Sequence, residues 1–261
     1  MTKQKSEYGE YLEFAIRLAE GAGEILMKGF GNREYNEKSE TELITKTDLK
    51  SEKFITDSIK RRYSAHQILS EEVGSNKTKS DFLWIVDPLD GTHNFIFGLP
   101  FFGVSIALAY KGRVVVGVVH IPAARQTYHA EKGMGALLNG KEIHVSKRSK
   151  EPGKASVFSF DGPSIKKENY PEFSKIQDLL FKARNFGASS VELGFIASGL
   201  LDAGVWFGAH PWDVAAGLLI IEEAGGKITD FSGKEWGYGM KKIIASNGLV
   251  HESILKALNS K

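Results

Sequence analysis

The stretch from Phe82 to Phe95 reads FLWIVDPLDGTHNF and carries two carboxylates, Asp87 and Asp90, three residues apart. The apolar run Phe82-Leu83-Trp84-Ile85-Val86 is short, β-branched at its end and followed by Pro88. That pattern predicts a buried strand closed by the proline, which cannot continue a ladder. Asp90 falls where a helix N-cap would stand, with the Gly91, Thr92 and His93 amides behind it. Two acids beside a helix start offer a cation site and an oxyanion site together, and metal-assisted phosphate chemistry needs both. The plainer alternative is a strand-turn-helix whose aspartates only cap and solvate the turn.

Two further segments end apolar elements on acids: Ser70-Glu71-Glu72, where the short strand Gln67-Ile68-Leu69-Ser70 runs into Glu71-Glu72, and Pro211-Trp212-Asp213, at the start of an apolar helix. Alone, Asp213 reads as a helix cap. If the three segments converge, the balance shifts, because two carboxylates ~4 Å apart repel by about 4 kcal/mol at an effective dielectric of about 20. Four together require divalent cations. The chain has no cysteine, and no HxH or HExxH pair, so the ligand set is all oxygen and points to Mg²⁺ rather than zinc. The implied reaction is attack of a metal-activated water on a phosphate ester.

The elements that must position these acids can be read in order. Tyr8, Tyr11, Leu12, Ala15, Leu18, Ala19, Ala22, Ile25 and Leu26 follow helical spacing and predict a long amphipathic helix ending near Gly29-Phe30-Gly31. Residues 32–42 are polar and aperiodic, hence a loop; Thr47 or Asp48 can then cap a second helix carrying Phe54, Ile55 and Ile59. After the acid-bearing stretch, strands are expected over 101–110, with Phe102, Val104, Ile106 and Leu108 alternating, then over 114–121 and 125–131. Asn139-Gly140 signals a type I′ hairpin that completes an antiparallel meander. The polar stretch 146–154 marks a candidate boundary, giving an N-terminal α+β half (1–146) and a C-terminal α/β half (147–261). In the second half strands are expected over 155–160, 183–186, 204–207, 227–229 and 243–246, and helices over 172–182, 189–200, 214–224 and 251–258. The helix over 214–224 is apolar nearly all round, hence buried, and Gly225-Gly226 stops it. The whole predicts α+β followed by α/β, with sheets and helices stacked in layers.

Composition sets the limits. The chain has 261 residues and a net charge of +2 with both signs dispersed, so nothing calls for nucleic acid; the short clusters Lys60-Arg61-Arg62 and Lys147-Arg148 read as solvated faces. The start MTKQKSEYGE lacks the apolar core of a signal peptide, and no apolar run approaches the ~20 residues that span a bilayer. The expectation is a soluble cytoplasmic protein.

The residues also carry a resemblance. Asp87-Pro88-Leu89-Asp90-Gly91-Thr92-His93-Asn94-Phe95 resembles the DPxDGTxNF signature of the inositol monophosphatase family. Trp212-Asp213-Val214-Ala215-Ala216-Gly217, continuing to Glu223-Ala224-Gly225-Gly226, is similar to that family's second signature. Leu43-Ile44-Thr45-Lys46-Thr47-Asp48 and Ser70-Glu71-Glu72 match its remaining site segments. The resemblance covers nearly the whole chain and implies a layered αβαβα sandwich of the inositol monophosphatase/fructose-1,6-bisphosphatase type. It implies that Glu71, Asp87 and the Leu89 carbonyl hold a first Mg²⁺, that Asp87, Asp90 and Asp213 hold a second, and that a weaker third sits near Glu71. It further implies that Thr92, paired with Asp48, orients or deprotonates the attacking water, that the Gly91 and Thr92 amides bind phosphate, and that Gly187, Ala188, Ser189 and Asp213 contact substrate. Lys38 could meet the third ion's waters, though a solvated lysine is the plainer reading; His93 and His210 read as packing groups beside the site.

The expected activity is hydrolysis of inositol monophosphate-like esters, with inhibition by Li⁺ and a homodimeric enzyme implied by the same resemblance. Trp206 stands where inositol-preferring relatives carry a glutamate, and an indole cannot accept hydrogen bonds from ring hydroxyls. Broad specificity is therefore expected, and fructose-1,6-bisphosphatase activity is the main alternative, with Arg184 a candidate for a second phosphate. Nucleotide 3′-phosphatase and histidinol phosphatase share the same metal ligands. An aspartyl-nucleophile phosphatase would need a DxD spacing that DPLDG lacks, and a silent metal-binding interaction protein would have no need of Asp87, Asp90, Asp213 and Thr92 together.

Overall fold

A computed structural model describes residues 6–39, 42–76, 78–148, 157–161, 170–177, 179 and 182–260. The first helix, α1 (Gly9–Gly29), buries Phe14, Ala15, Leu18, Ala19, Ala22 and Leu26, the face its periodicity announces. Within the expected loop, Asn36–Glu37 (β1) is an exposed strand that pairs with half-buried Leu43–Ile44 (β2) as a short ribbon. Helix α2 (Lys46–Arg62) is capped two residues earlier than Thr47. Thr45 is its cap: its hydroxyl accepts from the Thr47 and Asp48 amides, while Asp48 reaches back to the Thr45 amide at 2.9 Å. This is a capping box, and Thr45-x-x-Asp48 is its spacing.

Eight strands form the main sheet: β3 (Gln67–Ser70), β4 (Gly74–Ser75), β5 (Phe82–Asp90), β6 (Gly103–Tyr110), β7 (Arg113–Ile121), β8 (Gln126–Glu131), β9 (Ala136–Leu138) and β10 (Lys141–Ile143). Their order is β10-β9-β8-β7-β6-β5-β3-β4; β5 runs parallel to β3 and antiparallel to β6. The meander is as predicted, with Asn139 and Gly140 both at positive φ in the β9–β10 turn. The expectation that Pro88 closes the strand is corrected. β5 continues to Asp90, and the register against β6 shifts between Asp87 and Asp90, so the proline is absorbed in a bulge. Alternation in β6 also understates burial, because every residue from Gly103 to Ala109 is buried. Both faces of the sheet are covered.

Short helix α3 (Thr92–Phe97) follows β5. The second half supplies β11 (Val157–Asp161), α4 (Tyr170–Gln177), β12 (Lys182–Arg184), α5 (Ser189–Ala197), β13 (Ala203–Trp206), α6 (Pro211–Glu223), β14 (Lys227–Thr229), β15 (Ile243–Ser246) and α7 (His251–Leu258). Its five strands are ordered β12-β11-β13-β15-β14, with β11 parallel to β12 and β13. The predicted boundary stretch lies outside the described residues from 149 onward, as do the first two residues of the strand expected over 155–160 and part of the helix expected over 172–182.

Three apolar clusters separate five layers. α1 and α2 pack Phe14, Leu18, Leu26, Ile55 and Ile59 against Trp84, Val86, Val104, Ile106 and Leu108 on one face of the large sheet. On the other face Ile85, Ala107 and Val119 meet α5 and α6, whose far sides meet Trp206, Ile243 and Ala245 of the small sheet. Ala203, Val205 and Ile244 on that sheet's outer face meet Ile176, Ile254 and Leu258 of α4 and α7. The fold is therefore the layered αβαβα sandwich. Gly117 permits a close seam: a Cβ there would lie 2.6 Å from the Ala216 carbonyl of α6.

Candidate active site

The acids meet at the end of β5. Parallel pairing of β3 with β5 brings Ser70 opposite Val86, and the Glu71 amide donates to the Val86 carbonyl at 3.2 Å, so Glu71 follows directly beside Asp87. Asp87 is 2% exposed, and its Oδ1 accepts the Leu89 amide at 2.9 Å across the bulge. Asp213 arrives at the third position of α6, where its carboxylate accepts the His210 amide at 2.8 Å; the helix cap is His210, not Asp213. The Trp212 carbonyl accepts the Ser105 hydroxyl at 3.0 Å, and Ser105 pairs with Asp87 in the sheet.

Burial, then the charges of Glu71, Asp90 and Asp213, push the Asp87 carboxyl well above the usual range. Glu71 is pushed up to about 7 by burial and by Glu72, while Lys38 and a hydrogen bond with Asp87 pull the other way. Among the described residues no three histidine or acidic side chains are already gathered tightly enough to grip a metal ion. Glu71, Asp90 and Asp213 each act on the buried Asp87 carboxyl. Their donor set is hard oxygen throughout, and a divalent cation would offset the charge that burial leaves uncompensated. The residues present fit such an ion.

Asp90 does not cap α3. That position is Gly91, held at φ +84°, where a Cβ would lie 2.8 Å from the Phe101 carbonyl and 3.0 Å from the Ala188 side chain. Asp90 instead accepts the Ser190 amide at 2.6 Å and the Ser190 hydroxyl at 2.5 Å, tying β5 to the first turn of α5. Ser190 is a site residue that the sequence reading passes over. Asn94, inside the first signature, donates to the Phe101 carbonyl at 2.7 Å and the Phe186 carbonyl at 2.6 Å and so fixes the segment leading to Gly187 and Ala188.

Thr92 and Asp48 meet as expected: the Thr92 hydroxyl lies 3.2 Å from Asp48 Oδ1 and 3.1 Å from the Leu89 carbonyl. Burial holds the Asp48 carboxyl above its usual range, against the pull of its Thr45 hydrogen bonds. Lys38 lies exposed in the bend after β1 and reaches the site with Nζ 2.9 Å from Glu72 and 3.4 Å from Glu71. His93 is exposed, and His210 stacks on Trp212 with ring centres 4.8 Å apart. Ser189, expected to contact substrate, is 2% exposed, and its hydroxyl accepts the Trp206 indole at 3.2 Å. Arg184 is exposed on β12 and donates to the neighbouring Ala183 carbonyl.

Known proteins resemble this chain over nearly its whole length. The chain is 37% identical to inositol monophosphatase 3 of Solanum lycopersicum, covering 98% of this chain and 99% of that one. It is 36% identical to a fructose-1,6-bisphosphatase/inositol-1-monophosphatase of Thermotoga maritima over 95% of each chain, and 35% identical to Nus factor SuhB of Pseudomonas aeruginosa over 95% of each. Among solved structures, the Thermotoga maritima IMPase superposes with a TM-score of 0.87 at 34% identity, covering 96% of this chain and 97% of that one. The extragenic suppressor protein suhB from Bartonella henselae superposes at 0.90 and 31% identity, covering 96% and 99%. The sequence profile of the inositol monophosphatase family matches residues 7–261. The chain is a phosphatase and belongs to the inositol monophosphatase family, whose members use metal ions and act on phosphorylated small molecules.

Proposed function

We propose that this phosphatase is a Mg²⁺-dependent phosphomonoesterase that hydrolyses inositol monophosphate-like substrates with broad specificity. One observation carries the reading: Asp87 is buried within electrostatic reach of Glu71, Asp90 and Asp213, beside the Thr92–Asp48 pair. Glu71, Asp87, the Leu89 carbonyl, Asp90 and Asp213 would hold two ions, with a third near Glu71. When bound, such ions supply positive charge against the phosphate and acidify a water.

The chain's own groups do the rest. The single Thr92 hydroxyl hydrogen lies within reach of two acceptors, Asp48 Oδ1 and the Leu89 carbonyl. With the Leu89 oxygen engaged elsewhere, that hydrogen goes to Asp48, and the Thr92 lone pairs are left to accept a hydrogen bond from the attacking water. Asp48, made more basic by burial, is the proton acceptor behind it. The Gly91 and Thr92 amides face the phosphate in this reading, and Gly187, Ala188 and Asp213 bound the substrate, with Ser189 contributing from its backbone.

A dual activity that includes fructose 1,6-bisphosphate is the second reading. It is favoured by Trp206, which is 1% exposed and spends its only donor on Ser189, so it offers no acceptor to an inositol ring. Inhibition by lithium and a homodimer belong to the same proposal by resemblance, and a cytoplasmic location is proposed beside them. Release of inorganic phosphate from inositol 1-phosphate should require Mg²⁺ and fall at least about 100-fold in Asp90→Asn. Full activity in the presence of a chelator would overturn the reading. Running fructose 1,6-bisphosphate, a nucleotide 3′-phosphate and histidinol phosphate beside it, with a lithium titration, decides the substrate class.

A further inference from the structure

Helix α2 presents Asp48, Ser51 and Glu52 on one face, at the spacing that makes residues neighbours on a helix, and all three are buried. Each ends on a different segment of the site. Asp48 meets the Thr92 hydroxyl at the start of α3. Ser51 Oγ donates to the Pro88 carbonyl in the β5 bulge at 2.8 Å. Glu52 Oε2 accepts the Ser70 hydroxyl at 2.5 Å, and Ser70 is the fully buried last residue of β3, immediately before Glu71 and Glu72.

Glu52 is 2% exposed, and its second oxygen, Oε1, is sealed from solvent and makes no hydrogen bond of normal geometry among the described residues, while the nearby Val73 amide favours the ionised carboxyl. Burying a half-satisfied carboxyl is costly, and an apolar side chain of similar volume would pack against α2 with less penalty. Stability therefore does not account for an acid at this place. What the acid does achieve is a tie between a rigid helix and the turn that delivers Glu71.

We propose that Glu52 is a positioning residue: by holding Ser70 from α2, it fixes the direction in which β3 presents Glu71 to the acid cluster. The inference rests on the reading above, in which Glu71 holds a metal ion. In this arrangement α2 is the common frame of the site, with Asp48, Ser51 and Glu52 setting α3, β5 and β3 against one another. A ligand group oriented from behind grips its ion more tightly, and losing such support weakens metal binding about 10–100-fold in comparable sites.

The test measures Mg²⁺ binding by calorimetry on the full chain without substrate, with thermal melts in chelator alongside. Ser70→Ala and Glu52→Leu should bind Mg²⁺ at least about tenfold more weakly; in chelator Glu52→Leu should melt at or above the wild-type temperature, and Ser70→Ala, which strips the buried carboxyl of its hydroxyl donor, below it. Glu52→Gln, which keeps an acceptor for Ser70, should stay within about threefold of wild type. Thr56→Val, a buried polar position one turn further along α2, should bind as wild type does. Wild-type affinity in both Ser70→Ala and Glu52→Leu overturns the proposal, as does Glu52→Gln being as weak as Glu52→Leu. If Glu52→Leu fails to fold, Ser70→Ala decides alone, since it removes one hydroxyl. Absence of Mg²⁺ binding by the wild-type chain overturns the metal-site reading itself, and this assignment with it.

Discussion

Gly91 shows how little room the site leaves at single positions. It combines a left-handed backbone with two close neighbours, the Phe101 carbonyl and the Ala188 side chain. Alanine there meets the strain of positive φ, about 1 kcal/mol, and must also push apart the two segments flanking the start of α3. A displacement of that kind is expensive for catalysis, where a shift of about 1 Å costs about 100-fold. Gly98 has φ +79° and nothing within 4 Å of a built Cβ, so its alanine variant carries the strain without the collision. Gly91→Ala should lose at least about tenfold in kcat/KM, while Gly98→Ala keeps kcat/KM and loses only about 1 kcal/mol of stability. Phosphate-release kinetics and urea melts separate the two, and equal kinetic losses in both variants would refute the positional argument.

At the scale of elements, what was legible depended on whether the signal was local. α1, the β6–β7–β8 meander and the Asn139-Gly140 turn follow from periodicity and turn chemistry, which act over a few residues. The acid-bearing ends Glu71, Asp87, Asp90 and Asp213 were legible too, as was the Thr92–Asp48 pair. The partners behind them were not. Glu52 and Ser51 look like polar positions on an amphipathic helix, and Ser190 like an ordinary helix start, until β3, β5 and α5 are brought against them. Pro88 misled because its effect on a ladder is cancelled by a bulge that only pairing with β6 creates.

His251 on α7 is a similar case. It is fully buried, with Nε2 2.9 Å from the Thr229 hydroxyl and Nδ1 2.8 Å from the Ser246 hydroxyl, so it ties α7 to β14 and β15. Burial, reinforced by nearby Lys227, lowers its pKa from 6.5 to about 4. The folded state therefore holds the neutral ring, and its contribution is fully present above pH 6.5. It is lost as pH falls from 6.5 towards about 4, because the unfolded chain takes up the proton first. The loss amounts to about 3 kcal/mol over that window. His251→Gln removes the titration, so the difference between wild-type and variant stabilities in urea should shrink by that order between pH 7 and pH 4.5. A constant difference across the range would rule the contribution out.

The whole molecule places its costliest charges where its layers meet. β5 is a central strand of the large sheet, α6 lies between the two sheets, and Asp87 is buried at their junction with three other carboxylates acting on it. Without a cation this arrangement opposes folding, since desolvation and like-charge repulsion both disfavour the ionised cluster. Asp87→Asn keeps the shape and an acceptor for the Leu89 amide while removing one of the repelling charges. In chelator it should therefore melt higher than wild type, by about 2–4 °C for each kcal/mol relieved. Magnesium should reverse the ranking. A ligand that binds only the folded state stabilises by about 2.7 kcal/mol at 100 times its dissociation constant, and the variant has lost a ligand for both ions in the proposed site. Thermal melts of both proteins with chelator and with excess Mg²⁺ give the four temperatures needed. An Asp87→Asn protein less stable than wild type in chelator, or one stabilised by Mg²⁺ as much as wild type, would show that this cluster is not held together for a metal.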